Sequence, residues 1–260
     1  MMTEVKLPIF LTAWQSWRGG WRAMRAMPKM TTILFVLIVA DFVLDLLLAP
    51  EEFEGLVVWR QLARLALVVL LSLLFTPPCI AFYRYLLLGE VTQRYVLDFS
   101  SPRTRMYFCY TAVFACVSAV CLNLTETAGA FLSAMGFITS ALVLLFPQML
   151  FPAIVIDAPQ ANIANAFQDI RPRALVIGAV AVLLWILVPY ALVFVFGFLL
   201  VLLFELATGV ELPAPSGTLM AAPLVVFYFV FVMIWLEITT RFYRAWAHRL
   251  GRPAGIVDQI

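Results

Sequence analysis

Long apolar stretches separated by short polar segments dominate the chain. There are six of them, at about 31–49, 56–76, 106–126, 129–152, 174–206 and 218–240. Each is long enough for a helix of roughly 20 residues that crosses a hydrocarbon core about 30 Å thick. The fifth is too long for a straight crossing, so we expect it to tilt, to kink at Pro189 or to extend beyond the surface. The pattern predicts an all-α polytopic membrane protein with six transmembrane helices.

A proline followed by a basic residue precedes three of these stretches, at Pro28-Lys29, Pro102-Arg103 and Pro172-Arg173. Proline suits the first turn of a helix, because its missing N–H would have no helical partner there. A polar segment with helix-like character lies before each pair. We therefore interpret the chain as three hairpins, about 31–76, 106–152 and 174–240, each entered through an interfacial elbow helix, with elbows at 1–30, near 89–104 and near 158–173.

The triplet phenylalanine-tyrosine-arginine follows both the second and the sixth stretch, at 82–84 and 242–244. All three hairpins begin on the same side of the membrane, so they would be parallel repeats about an axis near the membrane normal. Duplication of one hairpin is our hypothesis, and coincidence is the alternative.

Composition and charge agree with a membrane protein. The chain is 64% hydrophobic and 12% charged, against roughly a quarter charged in soluble domains. All but two of its 17 basic residues, Arg60 and Arg64, fall in segments predicted to share one face. The positive-inside rule makes that face cytoplasmic. We expect a bacterial inner-membrane location with both termini inside and a cytoplasmic tail at 241–260.

The first elbow carries two neighbouring helical stripes. The aromatic stripe includes Trp14, Trp17 and Trp21, and the cationic stripe includes Arg18, Arg22 and Arg25. Such a helix is typical of the lipid headgroup layer, where each cation contributes about 1 kcal/mol against anionic lipid. The helix either anchors the protein or has a more specific function, which is headgroup recognition or docking of a larger membrane complex. We expect Gly19-Gly20 to interrupt this helix, which would permit a bend there.

Four charges fall inside predicted spans. Asp41 and Asp45 are one turn apart in the first span, and Arg60 and Arg64 are one turn apart in the second. Counting from the intervening turn, Asp45 lies opposite Arg60 and Asp41 opposite Arg64, which predicts two ion pairs across the hairpin. The pairs either fix the register of the hairpin or form a polar cleft open to the outside. The alternative is that the charged side chains of either pair extend outward to the membrane surface instead of pairing.

Two local features complete the picture. Pro77-Pro78 predicts a kink that turns the chain from the second span into the next elbow, with a broken-helix substrate site as the alternative. Glu237 precedes Arg241 at the spacing of a local ion pair. The sequence contains no nucleotide-binding, hydrolase or metal-site motif and a single histidine. We therefore expect no enzymatic activity, no cofactor and no metal. A net charge of +2 spread along one membrane face does not suggest nucleic-acid binding.

The fourth span and third elbow carry a family resemblance. The sequence reads FPAIVID at 151–157, then Ala164-Asn165-Ala166-Phe167 and Arg171. This resembles six-helix bacterial inner-membrane proteins of the YciC type and the membrane domain attached to some glycerophosphodiester phosphodiesterases. The resemblance implies an envelope or lipid-linked role. The chain lacks the catalytic domain of the phosphodiesterases, so no activity is implied.

Together these observations favour a non-enzymatic inner-membrane protein that acts as an accessory, scaffold or lipid-interacting factor. Its partners would be the lipid bilayer, with its anionic lipids, and a larger membrane protein complex. The alternative is a permease-like protein that moves a small or amphipathic substrate.

Overall fold

The computed structural model describes residues 7–47, 57–127, 146–189, 191–193, 195 and 217–251. Within these ranges the chain forms helices and irregular segments and no strand, which confirms the all-α prediction. The helices are α1 (Ile9–Ala26), α2 (Pro28–Leu47), α3 (Val57–Leu88), α4 (Pro102–Thr127), α5 (Leu150–Val155, after a 3-10 turn at Phe146–Met149), α6 (Ile163–Asp169), α7 (Arg173–Val182, continued by a π-helical turn at Leu183–Leu187) and α8 (Gly217–Trp246).

Two helices in the described ranges are long and apolar enough to cross a membrane, within α3 at Gln61–Leu88 and within α8 at Val225–Trp246. α1 and α2 pass the same test as a pair, although they are bent by 108° where they meet, so they add a third span only if the bent pair counts as one. These helices indicate a membrane protein. Crossing six times stays a prediction, and residues 128–145 of the predicted fourth span lie outside the described part of the chain.

The proline-basic pairs stand at helix starts, as predicted. α2 begins at Pro28, α4 begins at Pro102, and Pro172 comes directly before α7. The segments ahead of them differ. α1 is a full helix and α6 a short one, whereas the predicted elbow helix near 89–104 is wrong, because residues 89–101 are irregular.

Local chemistry explains why the second elbow is not helical. Gly89 ends α3 with a φ of 73°, the left-handed conformation that glycine adopts at helix ends. Before α4, the Asp98 carboxylate accepts hydrogen bonds from the Ser100 N–H at 2.9 Å and from the Ser100 hydroxyl at 2.6 Å. Such side-chain bonds to nearby backbone favour a turn over a helix.

The prolines at 77 and 78 do not turn the chain, so that prediction is also wrong. α3 continues through both of them to Leu88. Pro78 cannot donate to the carbonyl of Leu74, and the hydroxyl of Tyr95 donates to that carbonyl instead, at 3.1 Å. α8 likewise continues past residue 240 to Trp246, so the predicted tail at 241–260 begins as helix.

The C-terminal turns of α3 and α8 meet each other and α5 at one end of the bundle, which we call the packed end. Tyr83 and Thr239 join their hydroxyls at 2.9 Å, and the Arg244 guanidinium donates to the carbonyl of Leu86. The two helices are therefore parallel, as predicted for the second and sixth spans.

Both phenylalanine-tyrosine-arginine triplets lie in this packed end. The aromatic side chains of both, at 82–83 and at 242–243, are among the largest that are fully buried in the described structure. Arg84 and Arg244 each donate to a backbone carbonyl of a neighbouring segment. Similar surroundings for the two triplets are what duplication of a hairpin predicts.

Candidate membrane-surface site

α1 presents three faces. Its buried face consists almost entirely of small residues and packs against α8 and α7: Thr12, Ala13, Ser16, Gly19, Gly20, Ala23 and Met24. At 3.6 residues per turn, the predicted tryptophan stripe borders this face. Arg18, Arg22 and Arg25 lie opposite it and are exposed.

The two glycines bring α1 unusually close to α8. A Cβ on Gly19 would lie 2.4 Å from the carboxyl carbon of Glu237, and one on Gly20 would lie 3.1 Å from the Met233 carbonyl oxygen. α1 runs without interruption across both positions, so the predicted interruption at Gly19-Gly20 is wrong. Their function is close packing, because a larger side chain would push the helices apart.

Glu237 is the buried charge at this crossing. Its side chain is 5% exposed and accepts a hydrogen bond from the Arg241 guanidinium at 2.9 Å, so the predicted local ion pair is confirmed. Arg241 also donates to the Gln15 side chain at 3.3 Å. The ion pair therefore links α8 to α1 as well as neutralising itself.

The tryptophans form a stacked column that includes one residue from α7. Trp185 stacks on Trp14 and on Trp17, with ring centroids 5.5 Å and 5.0 Å apart, and Trp17 stacks on Trp21 at 5.6 Å. The Arg25 guanidinium lies 5.0 Å from the centre of the Trp21 ring, within the range of a cation–π interaction. We call these four rings the tryptophan column.

Trp185 was not among the residues singled out from the sequence, since one tryptophan in a long apolar run carries no periodic signal. It lies in the π-helical turn of α7, and its indole N–H donates to the Ala13 carbonyl at 3.1 Å. The π-helical turn comes just before Pro189, the residue at which we considered a kink in the fifth span. Single π turns inside α-helices are frequent at functional sites.

The bend between α1 and α2 is held by its own hydrogen bonds. Pro28 has no N–H for the Met24 carbonyl, and the Thr31 hydroxyl reaches that oxygen at 3.1 Å and the Met27 oxygen at 2.9 Å. The Ala26 carbonyl accepts from the Gln93 side-chain amide at 2.9 Å. A proline, a threonine and a glutamine thus set the direction of α1 relative to α2.

We expect Thr31→Val to lower the free energy of unfolding by about 1 kcal/mol, because it leaves the Met24 carbonyl without its donor. Thr32→Val is the matched control. Thr32 is the next residue, and its exposed hydroxyl donates to the carbonyl of Pro28 in its own helix, at 3.0 Å. Denaturant unfolding in detergent micelles compares the two. Equal losses would contradict a special role for Thr31.

The structure describes the side chains of only one of the two predicted intramembrane pairs, Asp41 and Arg64. Asp41 and Arg64 are both half-buried, and each takes part in a polar or electrostatic interaction. Asp41 interacts electrostatically with Tyr228 of α8. The side chains of Asp45 and Arg60 lie outside the described part of the structure. Pairing across the hairpin therefore stays a prediction.

A double-mutant cycle tests the pairing. We expect Asp41→Asn and Arg64→Gln each to destabilise by about 3 kcal/mol, since each leaves the other charge half-buried without its counterion. The double change should cost clearly less than the sum of the two. Unfolding in micelles measures all three variants, and simple additivity would remove the argument for a pair.

Comparison of the chain with protein-family models, curated proteins and solved structures gives no match. The resemblance to YciC-type membrane proteins therefore stays a prediction from the residues themselves.

Proposed function

We propose that this chain is a non-enzymatic, multi-pass protein of the bacterial inner membrane that acts as an accessory, scaffold or lipid-interacting factor. The exposed face of α1 would be its contact surface. Two or three helices of the described chain are apolar enough to cross a membrane, and the charge asymmetry of the loops supports cytoplasmic termini and six crossings.

One observation carries the proposal: α1 turns by 108° from α2 and keeps its arginines exposed beside the tryptophan column. If α2 crosses along the membrane normal, a turn near a right angle lays α1 along the membrane surface. Tryptophan is favoured at the headgroup level, and arginines there attract anionic lipid. The small residues on the opposite face, by contrast, are already covered by α7 and α8.

The lipid interaction is tested on the full chain in detergent by native mass spectrometry, with phosphatidylglycerol and phosphatidylethanolamine as probes. We expect preferential retention of phosphatidylglycerol and a several-fold weaker preference in Arg18→Gln. The matched control is Arg249→Gln, which removes another exposed arginine beyond the end of α8. An unchanged preference in Arg18→Gln, or an equal loss in the control, would count against α1 as the contact surface.

A permease-like protein is the second candidate, and the π-helical turn in α7 favours it, because irregular helices accompany substrate sites in transporters. A transporter predicts that Asp41→Asn or Arg64→Gln abolishes flux when the flux is normalised to the amount of folded protein in the membrane, since both changes also lower stability. A scaffold predicts co-purification with a larger complex that is lost with Arg18, Arg22 and Arg25 replaced. These variants leave the stacked rings in place, whereas replacing Trp14 or Trp17 would also disturb packing on Trp185.

A further inference from the structure

The irregular segment 89–101 follows a defined path along α3. Glu90 pairs with Arg84, with the Arg84 Nε 2.6 Å from a carboxylate oxygen. Five residues later the Tyr95 hydroxyl reaches the Leu74 carbonyl. Residues 74 and 84 are separated by roughly 15 Å along a helix at 1.5 Å per residue. The segment therefore descends along α3 from the level of Arg84 to the level of Leu74.

The inner part of this segment exposes apolar side chains. Val96 is 59% exposed, Leu97 36% and Phe99 39%, and Phe99 lies edge-on to Phe108 of α4 at 5.9 Å. A group of neighbouring exposed apolar side chains marks a surface that contacts a membrane or another molecule. The Gln93 bond to Ala26 joins the same segment to the end of α1, so it is continuous with the proposed lipid-contact surface.

Charged residues in the segment fix where the hydrocarbon ends. Arg94 and Asp98 are exposed, and the Ser100 hydroxyl and N–H hold the pKa of Asp98 below its usual value, so this carboxylate is ionised at neutral pH. Irregular backbone and charged side chains are not tolerated against lipid tails. The level of Leu74 is therefore the edge of the hydrocarbon core.

The exposure of α3 agrees with that edge. Leu62, Val69 and Leu70 are exposed, as expected for side chains that face lipid. From Leu71 to Leu87 every residue of α3 is buried or half-buried, because the other segments of the bundle surround the helix. The part of α3 beyond residue 74 is thus covered by protein, consistent with a packed end that projects out of the membrane.

We propose that the segment 89–101 is a second membrane-surface element, with Val96, Leu97 and Phe99 inserted into the headgroup layer of the bilayer and Glu90 and Val91 held above it in water. This rests on the proposed membrane function. Lipid is the occupant because the depth of the segment, its continuity with α1 and its exposed Arg94 all match the composition of a membrane interface.

Photo-crosslinking tests the proposal at two equivalent valines. Val91 and Val96 are 57% and 59% exposed and lie on the same segment, but the proposal separates them in depth. Benzoylphenylalanine is placed at each position of the full chain, which is reconstituted in vesicles of phosphatidylethanolamine and phosphatidylglycerol. After illumination, mass spectrometry counts lipid adducts. We expect at least several-fold more lipid adduct at Val96 than at Val91.

A third label at Leu70, exposed on α3, separates this inference from the function it rests on. Lipid adducts at Leu70 with equal yields at Val91 and Val96, or with no lipid adduct at Val96, would overturn the inference alone. Failure to label lipid at Leu70 would overturn the membrane assignment as well. Adducts from Val96 to a protein in native membranes, in place of lipid, would replace the bilayer with a protein partner and also refute the inference.

Discussion

Gly19→Ala is expected to lower the free energy of unfolding by about 2 kcal/mol, as overpacking of a close contact does. The sign of this change in stability is informative, because glycine-to-alanine changes elsewhere in helices have the opposite sign. Alanine in place of glycine inside an uncrowded helix stabilises by roughly 0.5–1 kcal/mol. Here the added methyl would overlap the Glu237 carboxyl group, which is buried and held by Arg241. Denaturant unfolding in micelles measures the change.

Two comparisons isolate the cause of this loss. In a Glu237→Ala background the same change at Gly19 should be neutral or stabilising, because the carboxyl group is gone. Arg18→Ala, one residue away on the exposed face, should change stability by less than about 0.5 kcal/mol. If Gly19→Ala stabilised the protein, the close contact between Gly19 and a fixed Glu237 carboxyl group would be refuted.

Asp169→Ala is expected to destabilise by about 3 kcal/mol, because it leaves two backbone donors, one buried and one partly buried, without an acceptor. The carboxylate of Asp169 is 5% exposed and accepts the N–H groups of Arg249 at 2.7 Å and Leu250 at 2.9 Å. It thereby ties the segment that follows α8 to α6. We also expect faster proteolysis beyond Trp246 in this variant.

Gln168→Ala is the matched control for that change. Gln168 is the neighbouring residue, is exposed, and accepts a hydrogen bond from the Arg249 side chain. Its loss should cost less than about 0.5 kcal/mol, as for other surface contacts. Comparable effects of the two substitutions in a thermal unfolding experiment would contradict the role assigned to the buried carboxylate.

Sequence patterns recovered the helices well where the signal was repeated. The proline-basic pairs located three helix starts, because proline at a first turn is a local preference that tertiary contacts rarely override. The tryptophan and arginine stripes of α1 were also predicted as neighbouring faces. The direction of α3 relative to α8 followed from the count of crossings.

The second elbow was mispredicted for a local reason, at Gly89 and Asp98. The other errors arose because a partner distant in sequence decided the outcome. Gly19 and Gly20 permit either a bend or a close approach, and only Glu237 and Met233 show which. Pro78 leaves a carbonyl free, and the hydroxyl of Tyr95, 17 positions further along the sequence, satisfies it and lets α3 continue. Trp185 reaches the tryptophan column through a π-helical turn, and the hydrophobic pattern of the sequence does not predict that turn.

The central claim is that α1 and the segment 89–101 lie on the cytoplasmic side of a protein that crosses the membrane repeatedly. Single cysteines at Arg18, Arg94 and Glu211, in a chain whose four native cysteines are replaced, test it with a membrane-impermeant thiol reagent. We expect positions 18 and 94 to react only in inverted membrane vesicles and position 211 only in intact spheroplasts. Labelling of positions 94 and 211 from the same side would contradict the account.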